Sequence, residues 1–202
     1  MKKLYLNIEK IVLEGRPSQV LQPPIDDIDK CIQNLCNSTE DMKSVICNYS
    51  GTNQGKQFKK ACNTISIFSQ NLYEISIAFN DIQNQVAAYA DKCSKYEEEP
   101  STVSPPRQLS VNIVRMNVNT GVVYFRKSEM IAVRNKLQEY CEECKNSITR
   151  LKNQAAALNS VWKDPQKDDY CKLIDSTCDI IFKASQSLGE YRDHLTKMID
   201  SL

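Results

Sequence analysis

The chain has 202 residues, 41% of them apolar, and 26 basic against 25 acidic residues give it a formal net charge of +1. That length covers one domain or two small ones. The balanced charge excludes the basic stripe of a nucleic-acid binder and a lysine block aimed at an anionic membrane surface. Gly and Pro are scarce, at 5 and 7, so long regular elements are expected, and no stretch approaches the roughly 18 apolar residues of a membrane span.

The chain starts Met1-Lys2-Lys3, but Asn7, Glu9 and Lys10 interrupt the apolar run that a secretory signal would need, so a cleaved leader is not expected. Residues 4–21 predict a β-hairpin. Leu4, Leu6 and Ile8 alternate as one strand, Glu14-Gly15-Arg16-Pro17 supplies a turn, and Gln19-Val20-Leu21 supplies the return. Pro23-Pro24 then stops extended pairing and opens a helix, because the first helical turn has no use for the missing N–H groups.

A helix is predicted over 25–48, with Ile25, Ile28, Ile32, Leu35, Thr39, Met42 and Ile46 on one stripe. Their steps alternate three and four, the seam along which one helix packs on another. Residues 49–55 read as a turn, and a second helix follows over 56–97. Its stripe runs through Phe58, Cys62, Ile65, Phe68, Leu72, Ile75, Phe79, Ile82, Val86, Tyr89, Cys93 and Tyr96. Residues 98–108, rich in Pro, Ser and Thr, form a linker without apolar period.

The pattern then repeats. LYLNIEKIVL at 4–13 is matched by LSVNIVRMNV at 109–118, and each is followed by a Gly, a short apolar run and two long helical stretches. The second unit predicts a β-hairpin over 109–126 turning at Asn119-Thr120-Gly121, then helices over 128–160 and 166–202. The helix over 128–160 carries Met130, Val133, Leu137, Tyr140, Cys144, Ile148, Leu151, Ala155 and Leu158 on one face. The last helix carries Tyr170, Ile174, Thr177, Ile181, Ala184, Leu188, Tyr191, Leu195, Met198 and Leu202. Between them, Asp164 is a natural N-cap with Pro165 at the first helical position.

The expected fold is therefore mainly α. Two long antiparallel helical hairpins pack as a four-helix bundle, each preceded by a short β-hairpin, in a first unit at 1–97 and a second at 109–202. One apolar seam per hairpin cannot be fully buried alone, and pairing the hairpins within one chain exploits the high effective concentration set by the linker.

A helix, a turn with an aromatic residue and a second helix within about 100 residues resembles the Trp-x-Gly (WXG) family of type VII secretion. Tyr49-Ser50-Gly51 keeps the Gly and has Tyr for Trp, whereas Trp162-Lys163-Asp164 keeps the Trp and has Asp for Gly. The chain resembles a tandem of two such units, and most of all the helical helper proteins that accompany LXG-type toxins. The resemblance implies a non-enzymatic adaptor or chaperone that binds the helical domain of a secreted LXG-type toxin, or another WXG-like protein, for export. It implies a cytoplasmic bacterial protein, itself a candidate for type VII export. Tyr49, Gly51, Trp162 and Asp164 are its candidate partner-binding residues. The Tyr-x-x-x-Asp/Glu export signal of the actinobacterial branch is missing, since Tyr191 is followed by Leu195 and Tyr89 by Cys93.

Nine cysteines, an odd number, fit buried thiols better than a disulfide framework. Cys141-Glu142-Glu143-Cys144 is the only Cys-x-x-Cys, and it falls in mid-helix instead of at the strand-to-helix junction of a thiol oxidoreductase. With a single histidine, His194, neither a zinc site nor a Cys-His nucleophile pair is expected. No cofactor, metal, nucleic acid or small-molecule substrate is expected. Trp162 has two readings, a ring that covers the end of the bundle or an exposed anchor for a partner. The rival functions are a cytosolic helical scaffold, an exported WXG-like substrate and a thiol oxidoreductase.

Overall fold

The structure is a computed structural model that describes residues 17–49, 55–94, 113, 116, 126–162 and 167–202. Among these residues lie five helices: α1 (Pro17–Val20), α2 (Gln22–Tyr49), α3 (Lys56–Ser94), α4 (Lys127–Val161) and α5 (Lys167–Ser201). The last four are long, α3 with 39 residues spanning about 58 Å.

The predicted stripes are the buried faces. Every stripe residue of α2 from Ile25 to Ile46 is buried, as is every one of α3 from Phe58 to Ile82. In α4 and α5 the stripes hold except at Ile148, Ala155 and Met198, which are half-buried, and Leu202, which is exposed at the chain's last position. Each large aliphatic residue so buried contributes roughly 1.5–3 kcal/mol by removal from water. The first turns of the helices follow local chemistry. Pro23 and Pro24 sit in the opening turn of α2, and the first helical bond beyond them runs from the Ile25 N–H to the Leu21 carbonyl at 3.2 Å. Asp168 and Asp169 place negative charge in the first turn of α5, and Glu129 does so in α4.

The β-hairpins are the correction. The expected return strand, Gln19-Val20-Leu21, is the end of α1 and a turn, and no strand occurs among the described residues. Leu21 lies one heptad before Ile28 and is buried with it, so the helical stripe starts a turn earlier than the sequence reading placed it. Pro17 opens α1, where its missing N–H costs nothing. The first strand, with Leu4, Leu6 and Ile8, lies outside the described residues. So does the hairpin over 109–126, apart from Ile113, Met116 and Arg126, none of which is in a strand. The Met116 N–H donates to the Ser66 hydroxyl of α3 at 3.3 Å, so this ladder position spends its donor on a side chain.

The described residues divide into two compact units, each with its own core. Unit 1 takes α1, the stretch of α2 up to Gln33, α3 from Glu74, α4 from Thr149 and α5 up to Cys178. Unit 2 takes α2 from Asn34, α3 up to Tyr73, α4 up to Ile148 and α5 from Asp179. The division therefore runs across the sequence halves 1–97 and 109–202, because each long helix gives one stretch to each unit. In unit 1, the α2 stretch touches α3 through Asp29 and Gln83 and α4 through Asp27, Arg150 and Gln154, while α3 meets α5 through Phe79 and Tyr170. In unit 2, α3 and α5 run antiparallel, pairing Phe58 with Tyr191, Lys60 with Glu190 and Thr64 with Ser187. There α4 and α5 are antiparallel as well, pairing Gln138 with Arg192 and Cys141 with Ser185. In both units four helical stretches pack as a bundle around an apolar interior.

Candidate functional site

The residues predicted at the turns do not form a shared site among the described residues. Tyr49 is the last residue of α2 and belongs to unit 2, while Gly51 and Asp164 lie outside the described residues. Trp162 follows α4 in unit 1, its N–H still bonded to the Leu158 carbonyl at 2.8 Å. Its ring is 1% exposed and stands 6.0 Å from that of Tyr170, tilted by 48°. Tyr170 in turn meets Phe79 edge-on at 5.8 Å. Trp162 is thus the outer member of an aromatic stack in the core of unit 1, the first of its two sequence readings.

A polar strip runs beside that stack. Gln83 donates from Nε2 to Asp29 Oδ1 at 2.9 Å, and the Gln83 carboxamide also lies beside the Tyr170 hydroxyl. Burial pushes the Asp29 carboxyl above the usual carboxylate range, against the lowering effect of the Gln83 bond. Burial also pushes the Tyr170 phenol up, helped by the Asp29 charge. Next to it, Asp27 takes one bond from Arg150 and one from Gln154, both at 2.8 Å. This half-exposed pair orients side chains more than it stabilises them, since solvent screens it.

In unit 2 one buried polar group is the Tyr140 hydroxyl. It lies 2.7 Å from that of Thr39, and Thr39 is 2.6 Å from the Leu35 carbonyl. A threonine hydroxyl has one hydrogen, and the Leu35 carbonyl can only accept, so Tyr140 donates to Thr39 and Thr39 donates to Leu35. Thr39 was the one polar member of its stripe. The sequence signal for this contact was therefore a hydroxyl at a seam position, which has to find a partner across the seam.

The thiols are placed for packing. Burial raises the Cys36 thiol to about 12 and the Cys62 thiol to about 11, and the charge of Glu40 adds to the first and that of Cys47 to the second. Cys141 donates weakly to the Ser185 carbonyl at 3.5 Å, and burial pushes its thiol up as well. Cys144 is fully buried. A protonated, enclosed thiol is a poor nucleophile at neutral pH, which weighs against redox chemistry at this Cys-x-x-Cys. Among the described residues no group of His, Cys, Asp and Glu is arranged to hold a metal ion. Among them, too, no helix is long and apolar enough to cross a membrane.

Two surface grooves were not legible in the sequence, and both lie within unit 2. One, of about 450 Å³, separates α2 from α4 and is lined by Asp41, Met42, Val45, Lys136, Glu139 and Glu143 among others. The other, of about 240 Å³, separates α3 from α5 and is lined mainly by Ile67, Phe68, Ile180 and Ala184. Ile67 is 53% exposed, and Phe182 of α5 is 58% exposed. Each groove is made by residues from two helices more than 90 positions apart in the chain, a juxtaposition that no helical period encodes. Compared with protein families, with curated proteins and with solved structures, the chain shows no significant match.

Proposed function

We propose that the chain is a non-enzymatic helical adaptor or chaperone of the WXG-like kind, which binds the helical domain of an LXG-type toxin for type VII export. The observation that carries this reading is apolar surface left over after the bundle is complete. In unit 2 the heptad stripes are spent on the interior, yet Ile67 of α3 and Phe182 of α5 remain exposed. Ile67 lines the apolar α3/α5 groove, and the continuity of the two supports a surface that meets another protein. A partner helix laying its own apolar face along α3 and α5 would cover Ile67 and fill the α3/α5 groove. With Trp162 buried, this reading draws its recognition surface from the helix flanks.

The test is co-purification of the full chain with the helical domain of an LXG-type toxin. The native chain is expected to retain that domain, and Ile67→Asp to lose it while circular dichroism stays unchanged. A native chain that remains monodisperse alone and ignores such domains overturns the proposal in favour of a helical scaffold. Export of the chain without any bound toxin domain overturns it in favour of an exported substrate.

A further inference from the structure

The α2/α4 groove of unit 2 differs in character from the α3/α5 groove. Its floor is apolar, made by Met42 and Val45 of α2 and the ring of Tyr140 of α4. Its rim holds three carboxylates, Asp41, Glu139 and Glu143, against one ammonium, Lys136. That ammonium is already committed, because Lys136 bonds Glu139 at 2.5 Å and feels the charge of Asp41 as well. Glu143 has no ion pair among the described residues. The groove therefore keeps an excess of negative charge above a greasy floor.

Glu139 and Glu143 are four residues apart on α4, so they project on one face about one helical turn from each other. The lining residues of α2 and α4 cover two turns of each helix, roughly 10 Å of groove. A lysine or arginine side chain suits such a place, because its methylene stem covers apolar surface while its head reaches the rim. Two such side chains one turn apart would reach Glu143 and share Glu139 with Lys136.

We propose that the α2/α4 groove docks an amphipathic helix of a partner protein that carries Lys or Arg at positions i and i+4. This rests on the reading of the chain as a helix-binding module and adds the chemistry of the partner. It uses a different face from Ile67 and Phe182, so the two can fail separately.

The probe is a labelled amphipathic peptide with arginines at one i, i+4 pair, titrated with the full chain and followed by fluorescence anisotropy. Saturable binding is expected, weakened about tenfold by Glu139→Gln with Glu143→Gln. It should also weaken as salt rises from about 50 mM to about 500 mM. Glu190→Gln, which removes an exposed carboxylate from the α3/α5 side, should leave binding unchanged. Both glutamines are uncharged isosteres on the helix surface, and circular dichroism checks that they fold. Absence of saturable binding overturns the proposal, and so does equal weakening by Glu190→Gln. Equally tight binding of spermidine, with the same dependence on Glu139 and Glu143, overturns it in favour of a small polycation. Loss of the peptide with toxin co-purification intact removes this groove's role alone.

Discussion

At Thr39 a single hydroxyl proton decides how two helices of unit 2 are joined. It goes to the Leu35 carbonyl of the same helix, which leaves the oxygen free to accept from Tyr140 of α4. Both groups are buried, so neither can turn to water instead. Thr39→Val keeps the shape but orphans the Tyr140 hydroxyl, and it should cost about 1–3 kcal/mol in urea unfolding. Tyr140→Phe added to it removes the orphan, so the double variant should recover much of that loss. If the two effects simply add, the hydroxyls do not interact. The same logic explains why Thr39 and Thr177 are tolerated on otherwise apolar stripes. Thr177 donates to the Leu173 carbonyl one turn back at 2.8 Å, so its polar atom is satisfied within its own helix.

The helices themselves were the most legible part of the chain. Stripe steps of three and four over seven or more residues leave only one period that fits, and the observed ends fall within a few residues of those read from the sequence. Alternation at a few short positions is weaker information. Gln19-Val20-Leu21 fits a strand by itself, but Leu21 also continues the seven-residue repeat of α2, and the longer pattern prevails. Inside α5, Gly189 interrupts a good helix former without a packing reason. A Cβ placed there would meet only the Arg192 guanidinium, at an ordinary 3.9 Å. Gly189→Ala should therefore stabilise the protein by about 0.5–1 kcal/mol, through the smaller entropy of the unfolded chain. A decrease in the thermal midpoint would mean that the backbone at 189 needs glycine's freedom.

On the scale of the whole chain, the cysteines report on how completely the interior is closed. The eight described cysteines form no disulfide with one another, and only Cys47 and Cys171 among them are half-buried. Burial raises the thiols of Cys36, Cys62 and Cys141 above their ordinary range, so they are both shielded and protonated at neutral pH. Among the eight, Cys47 and Cys171 should react first with iodoacetamide, and the six buried ones only as fast as the protein opens. Mass spectrometry of the labelled peptides checks this order. Fast labelling of Cys141 or Cys144 in the folded protein would reopen the redox reading of that pair.

Sequence by itself determined the four long helices and which face of each is buried, though not the helical start at 17–24, because a repeat of apolar side chains at 3.5 residues is a local property of the chain. It left Trp162 with two readings, a ring that covers the bundle end or an anchor for a partner. Only the tertiary structure decided how the stripes combine. The two compact units each draw on all four long helices. It also decided where surface is left over, at Ile67, at Phe182 and in the acid-rimmed groove between α2 and α4. The physical reason is that burial depends on which helix flanks meet across space. The periodicity of one helix fixes its inward face but carries no information about which residues of a distant helix will stand beside its edges.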